Sequence, residues 1–220
     1  AVVPFEPIAH TIIYGGSTLV LLGALFLVIF GFGKLIRENL QLRKIAKPNL
    51  FQSVTALVSD PIKFGTLWQM VFMNFVVSFP GIFMAAMLDE IFRVWPLREE
   101  RVILTGHWHI LSGIIATIIL LYYADMTGMK GMKRQLFGWS IIMFSDLAFG
   151  ATAIFMMRRL FVSEALEGPL VNSLILIMDI GLGSVLLALA VLMAWRLVDL
   201  FGKNGRWRYE LEESQSKVTV

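Results

Sequence analysis

The sequence predicts an all-α membrane protein with five transmembrane helices, its N-terminus outside and its C-terminus inside. Hydrophobic residues make up 57% of the 220 positions and charged residues only 16%, whereas soluble domains contain about a quarter charged residues. Five apolar stretches reach the length of about 20 residues that a bilayer requires. They run over residues 9–33, 66–88, 102–124, 136–157 and 170–195. We therefore expect one five-helix domain, 1–200, followed by a polar cytoplasmic tail, 201–220.

The orientation is predicted from lysine and arginine, which divide unevenly between the two sides of the membrane. The larger group comprises Lys34, Arg37, Arg43, Lys44, Lys47, Lys63, Lys130, Lys133, Arg134, Arg196, Lys203, Arg206, Arg208 and Lys217. The smaller group comprises Arg93, Arg98, Arg101, Arg158 and Arg159. Because cytoplasmic loops are enriched in basic residues, the larger group indicates the inner side. The formal net charge of +3 thus reflects topology, and no basic run or recognition motif indicates a nucleic-acid partner.

The first span, 9–33, is followed by a basic cytoplasmic loop, 34–65. Several apolar residues of this loop recur at partly helical spacing, so a short helix along the inner interface is expected. The second span, 66–88, contains Gln69 and Asn74. Amides inside a membrane helix are usually bonded to a neighbouring helix, and we expect both to form interhelical hydrogen bonds.

The third span contains two of the three histidines, His107 and His109. An ionisable side chain inside a membrane helix is costly and therefore suggests a function. Residues at i and i+2 of a helix point about 200° apart, so the two imidazoles should face different partners. His10, in the first turn of a parallel helix, is expected at similar depth near the outer face.

Two parallel helices that each offer an imidazole at one depth could ligate a haem iron from opposite sides. Such a haem has no open coordination position and would transfer electrons without activating oxygen. The alternative is that these histidines are solvated or bonded to nearby backbone. Cysteine is absent, which excludes disulfides, thiolate metal sites and iron–sulfur clusters in this chain.

The fourth and fifth spans each contain one intramembrane carboxylate, Asp146 and Asp179. Carboxylates at this depth usually face a partner, a cavity or a proton path. One interpretation is a proton relay or a quinone contact. The other, which we favour, is adhesion to a neighbouring subunit or support of a cofactor, because two isolated acids do not form a continuous path.

Several motifs after residue 60 resemble those of one membrane protein family. The segment 106–113, G-H-W-H-I-L-S-G, is similar to the motif G-H-F-H-Y-V-L-S-G in the tenth helix of subunit I of the haem-copper oxidase superfamily. Further similarities to that family are Leu121-Tyr122-Tyr123, Met126-Thr127-Gly128, Arg158-Arg159, Asn172-Ser173 and, more loosely, Phe79-Pro80-Gly81. The resemblance extends over about residues 60–200. It implies that this segment corresponds to the family's last four helices, the ninth to the twelfth.

This resemblance implies roles for individual residues. In the family the second histidine of H-x-H ligates the low-spin haem, which is the role implied for His109. His10 could supply the opposite ligand to the haem iron by topology. The first histidine, His107 here, ligates the high-spin haem in the family. Arg158 and Arg159 would pair with haem propionates, since a guanidinium fork matches a carboxylate.

The chain also departs from this family. The family's copper site needs three further histidines from its sixth and seventh helices, and this sequence has three histidines in total. The oxygen-reducing centre therefore cannot be complete in this polypeptide. His107 could be a vestige, a hydrogen-bonding residue or the ligand of a second haem. A methionine, Met84 or Met87, could replace His10 as an axial ligand.

The leading functional hypothesis is a non-catalytic, haem-binding electron-transfer subunit of a respiratory complex. It would hold one haem of type b or a, with a second as an option, near the outer face of a prokaryotic plasma membrane. Its partners would be other membrane subunits and a quinol or an external redox protein. One alternative is that the chain forms part of a split haem-copper oxygen or nitric oxide reductase whose copper site lies on another chain. Another is a non-haem transporter, structural or assembly subunit.

Overall fold

A computed structural model describes the backbone of residues 7–201 and the side chains of these residues except 7–10, 13, 88–89, 159 and 164–165. This part of the chain is helical and contains no strand. Five helical spans are long and apolar enough to cross a membrane, which confirms the predicted fold class. The orientation of the termini across a membrane stays a prediction, and the tail after Phe201 lies outside the described residues.

The helices are α1 (Pro7–Leu42), α2 (Leu50–Leu57), α3 (Pro61–Met73), α4 (Phe79–Ala86), α5 (Leu88–Arg93), α6 (Leu97–Met126), α7 (Gly131–Met157) and α8 (Glu164–Phe201). A π-helical turn, Asn74–Ser78, joins α3 to α4, and a 3-10 turn, Arg158–Leu160, follows α7. The first helix extends well past its predicted end at residue 33. The segment predicted as loop 34–65 is therefore largely helical, and α2 lies within it.

Short α2 begins at a capping box. The side chain of Asn49 accepts a hydrogen bond from the Gln52 amide at 2.8 Å, and the Gln52 side chain accepts one from the Asn49 amide at 3.0 Å. These reciprocal bonds satisfy two amides that a helix start would leave unpaired. Asn39 of α1 donates to the carbonyl oxygen of Ala56 at 2.8 Å, which attaches α2 to the end of α1.

The second membrane span consists of α3, the π-helical turn and α4. Pro80 lies in the first turn of α4; its ring has no N–H and clashes with the carbonyl of the preceding turn in a regular helix. A π-helical turn inserts one extra residue per turn and relieves such a conflict. Within this turn, Asn74 donates to the Met70 carbonyl at 3.1 Å, and Ser78 donates to the Asn74 side chain at 3.3 Å.

Helix α7 lies at the centre of the bundle and packs against α3, α6 and α8. Close approach to α3 depends on Gly65, where an added Cβ would lie 2.8 Å from Ile142 Cγ1. Close approach to α8 depends on Gly181, where a Cβ would lie 2.7 Å from the carbonyl oxygen of Phe144. Helix α1 packs at the edge, mainly against α2, α3, the π-helical turn and α4.

Two arginine-centred ion-pair groups lie at opposite ends of α7. At one end Arg134 pairs with Asp60, which precedes α3, and with Asp125 at the end of α6. At the other end Arg158 pairs with Glu99 in α6 and Glu167 in α8. We call these the Arg134 end and the Arg158 end of the bundle. Each group holds three membrane helices in register.

Candidate functional site

A cleft opens between α6, α7 and α8 near the Arg158 end. Its volume is about 680 Å³, within the range of about 300–1,000 Å³ typical of cofactor and ligand sites. The walls are formed by Leu97, Arg98, Arg101, Val102, Thr105, Gly106, His109, Thr152, Phe155, Met178 and Leu182. The cleft is therefore mainly apolar, with one imidazole and two cationic side chains on its α6 wall.

The imidazole of His109 is held by the backbone of its own helix. Its Nδ1 lies 2.7 Å from the carbonyl oxygen of Thr105, one turn earlier. Because a carbonyl oxygen can only accept, Nδ1 carries the proton in this bond, and in the neutral imidazole Nε2 then has the lone pair. This is the state of a metal-ligating histidine whose second nitrogen is fixed by a backbone carbonyl. A ligand role for His109 stays a prediction with which this bond is compatible.

Arg98 and Arg101 line the same cleft nearer the end of the bundle. With Thr105 and His109 they recur every three or four residues, so they share one face of α6. Arg101 precedes His109 by eight residues, which corresponds to about 12 Å along the helix axis. Both guanidinium groups are on exposed residues, and no carboxylate among the described side chains pairs with either. They can therefore bind an anionic group of a ligand.

Met178 of α8 lines the cleft together with His109 of α6. Its thioether sulfur is a potential axial ligand for haem iron. Two methionines considered from the sequence have other surroundings: Met84 is buried in a hydrophobic cluster with Ile91 and Ile103, and Met87 packs against that cluster.

His10 lies in the first turn of α1, and its side chain is outside the described part of the structure. Helix α1 packs mainly against α2, α3 and α4, and none of its described side chains lines the cleft around His109. The predicted pairing of His10 with His109 on one iron stays a prediction.

His107 faces a different neighbour from His109, as the spacing of the two residues predicts. Its ring lies against Gly81 of α4, where an added Cβ would be 3.1 Å from His107 Cε1. Its Nδ1 is buried and has no hydrogen-bond partner among the described atoms. Since the ring edge packs directly against α4, this side of α6 leaves little room for a macrocycle.

Arg158 is almost fully buried, with 2% of its surface exposed. Its Nε donates to Glu167 at 2.8 Å, and its Nη2 lies 3.3 Å from a carboxylate oxygen of Glu99. Its guanidinium also stacks 4.8 Å from the ring centroid of Phe155, which lines the cleft. Arg158 thus has two carboxylate partners in the protein. The side chain of Arg159 lies outside the described residues, so the propionate roles of both arginines stay predictions.

Asp146 joins α7 to α3 inside the membrane span. It accepts hydrogen bonds from Trp68 Nε1 at 2.6 Å and from Gln69 Nε2 at 2.7 Å, and Gln69 also donates to Ser145 Oγ at 2.9 Å. The predicted interhelical role of Gln69 is confirmed. For Asn74 the prediction is wrong, because its described bonds stay within its own span. Asp146 thus has a structural role, and a proton relay through it stays a prediction.

Asp179 lies on the outward surface of α8 and is exposed. No described side chain bonds to it. A carboxylate on the lipid-facing surface of an apolar helix is costly unless another molecule covers it. This position therefore suits contact with a further membrane subunit.

The sequence alone did not identify Arg98, Arg101 and Met178 as members of the site. The two arginines were counted as topology signals, although their helical spacing from His109 was a usable indication. Nothing in the sequence relates Met178 to His109, because their proximity depends on how α8 packs.

Among the described residues, no three histidine, aspartate or glutamate side chains form a protein-only metal site. The chain matches no protein-family model, and neither a curated protein nor a solved structure proved similar to it.

Proposed function

We propose that this chain is a haem-binding membrane electron-transfer subunit of a respiratory complex, with His109 as the ligand to the haem iron. The main support is the geometry of His109, whose Nδ1 is bonded to the Thr105 carbonyl at 2.7 Å. Its other nitrogen, Nε2, remains available for a metal. The similarity of 106–113 to the haem-ligating motif of haem-copper oxidases points to the same residue.

The residues of the cleft fit a haem in three respects. Its apolar walls suit the macrocycle, and its volume of about 680 Å³ suits a cofactor. Arg98 and Arg101 would hold the propionates, because a guanidinium matches a carboxylate in charge and geometry. We favour these two over Arg158, whose guanidinium is already paired with Glu99 and Glu167.

Each group around the cleft has a separate role in this proposal. The Thr105 carbonyl fixes the orientation of the His109 ring and selects the neutral tautomer whose Nε2 can bind a metal. Phe155 and Leu182 are apolar walls of the cleft and would separate a bound haem from water, which lowers the reorganisation that accompanies a change of charge. A haem bound there would supply a one-electron couple.

We propose that Met178 would be a second residue holding the haem, since its thioether side chain lines the cleft with His109. We propose one haem per chain, because His107 packs against Gly81. The cleft is open at the surface of the bundle, and Asp179 is exposed on α8, so a neighbouring membrane subunit would cover both. A quinol or an external redox protein would then exchange electrons with the haem, near the outer face of a prokaryotic membrane.

Reduced-minus-oxidised difference spectra of the purified protein test this function. The wild-type chain should give haem bands, and His109→Ala should lose them. His107→Ala is the matched control, since it removes the other imidazole of the same helix, and it should keep them. Wild-type protein without haem bands, or an unchanged spectrum in His109→Ala, would contradict the proposal.

A further inference from the structure

A second cleft lies between α7 and α8 at the Arg134 end of the bundle, about 770 Å³ in volume. Its walls include Leu136 and Phe144 of α7 and Leu187 and Val191 of α8. From Lys133 to Phe144 it follows α7 for eleven residues, about 16 Å along the axis. This is close to half the hydrocarbon thickness of about 30 Å. The cleft therefore matches a lipid chain of one leaflet in length and in polarity.

The mouth of this cleft is cationic. Lys133 Nζ lies 5.9 Å from the centroid of the Trp195 ring, and both residues line the cleft. Tryptophan near the end of a membrane helix is typical of the membrane–water interface. The side chain of Lys133 is exposed and pairs with no described carboxylate.

Other cations near this mouth differ in how far they are neutralised. Arg134 is paired with Asp60 and Asp125, and Arg196 lies 3.6 Å from Asp199. Lys130, just before α7, is exposed and has no described acidic partner. On α7 and in the residue just before it, Lys130 and Lys133 are therefore the cations at this end that have no described acidic partner.

The start of α7 adds a further attraction for an anion. No side chain caps this 27-residue helix, so its first backbone amides are free to bind a phosphate oxygen. This feature supplements the lysines and the apolar cleft, which supply the principal argument.

We propose that the cleft between α7 and α8 is a binding site for an anionic phospholipid of the leaflet at the Arg134 end. The acyl chain lies along Leu136, Phe144 and Leu187, and the phosphate lies beside Lys133. Basic pockets between membrane helices bind anionic head groups in this way. The positive mouth favours a phospholipid over a neutral quinone. The site is separate from the His109 cleft and does not depend on a haem there.

Native mass spectrometry of the full chain, released from bilayers of equal phosphatidylglycerol and phosphatidylcholine, tests this site. The wild-type chain should retain phosphatidylglycerol in preference to phosphatidylcholine. Lys133→Gln should reduce that preference about fivefold, the effect of one interfacial lysine. Lys63→Gln is the matched control, because Lys63 is exposed on α3 at the same end and does not line the cleft.

A second pair of variants tests the apolar part of the cleft. Leu187→Trp fills it and should abolish retention of phosphatidylglycerol, whereas Leu186→Trp, on the adjacent exposed position, should not. Circular dichroism and the elution profile establish that each variant is folded, and Lys133→Gln decides the outcome if Leu187→Trp fails to fold. Equal retention of both lipids by the wild-type chain would overturn the proposal. So would equal behaviour of Lys133→Gln and Lys63→Gln, or retention of an added ubiquinone in place of phospholipid.

Discussion

The Nδ1 atom of His109 lies 2.7 Å from the backbone carbonyl oxygen of Thr105. This bond fixes both the tautomer and the orientation of an imidazole that lines a mainly apolar cleft. His107, two residues earlier, lacks such a bond, and its Nδ1 has no partner in the described structure. The two histidines of α6 are therefore not equivalent, and the chemistry is expected at His109.

Arg101 should influence the redox potential of a haem in the cleft. A cation disfavours the oxidised, more positive state, so Arg101→Gln should lower the midpoint potential by tens of millivolts. The estimate follows from a Coulomb interaction of about 1 kcal/mol at roughly 12 Å. Potentiometric titration measures the shift. Arg93→Gln is the control, because Arg93 is exposed and does not line the cleft. An equal shift in both variants would argue against a propionate role for Arg101.

Met178 and His10 are competing candidates for the second axial ligand. If Met178 is the ligand, Met178→Leu should open one coordination position and produce a carbon monoxide-induced spectral change. Met193→Leu, on an exposed part of α8 away from the cleft, should not. The reverse pattern, with carbon monoxide binding in His10→Ala and none in Met178→Leu, would restore the bis-histidine prediction.

Arg158 is expected to be a stability residue. Arg158→Gln removes a charge partner of the Glu99 carboxylate, which is 6% exposed and lies 3.3 Å from the Arg158 guanidinium. Breaking such a pair usually costs about 3–5 kcal/mol, so the free energy of unfolding in detergent should fall by that order.

Two variants check this expectation for Arg158. The double variant Glu99→Gln with Arg158→Gln should recover part of the loss, because it removes both charges of the buried pair. Arg101→Gln, at an exposed position, should have little effect on unfolding. Equal stability of Arg158→Gln and Arg101→Gln would show that the ion-pair group does not hold the helices together.

Asp146 should stabilise the contact between α3 and α7. Asp146→Leu removes the acceptor for Trp68 Nε1 and Gln69 Nε2, so we expect a loss of about 1–2 kcal/mol in the free energy of unfolding. Asp146→Asn should lose less, since its carbonyl can still accept from Trp68 and its amide can donate to the unpaired Gln69 Oε1. Chemical unfolding monitored by tryptophan fluorescence measures both. Identical losses in the two variants would indicate that the hydrogen bonds contribute little.

The sequence predicted the five helices well because each span is long and apolar, and these properties are local. It also predicted that His107 and His109 face apart, since that follows from helical geometry. The end of α1 was harder to predict, because the polar residues after position 33 suggested a loop, whereas the helix continues to Leu42. Its last turns pack against α2, a contact that depends on the fold.

The rest of the candidate site depends on packing between distant segments. Glu99 and Arg158 are 59 positions apart, and nothing in the sequence around either residue predicts their ion pair. The same holds for Met178 and His109, which share a cleft only because α6, α7 and α8 pack together. The π-helical turn at Asn74–Ser78 precedes Pro80, but a proline in the sequence does not by itself predict a π-helical turn.

The most direct test of the central claim is a pyridine haemochrome assay on the purified chain, with the haem count divided by the protein count. We expect one haem per polypeptide in the wild type and in His107→Ala, and close to none in His109→Ala. A wild-type chain without haem, or an undiminished haem count in His109→Ala, would contradict the assignment of His109 as the haem ligand.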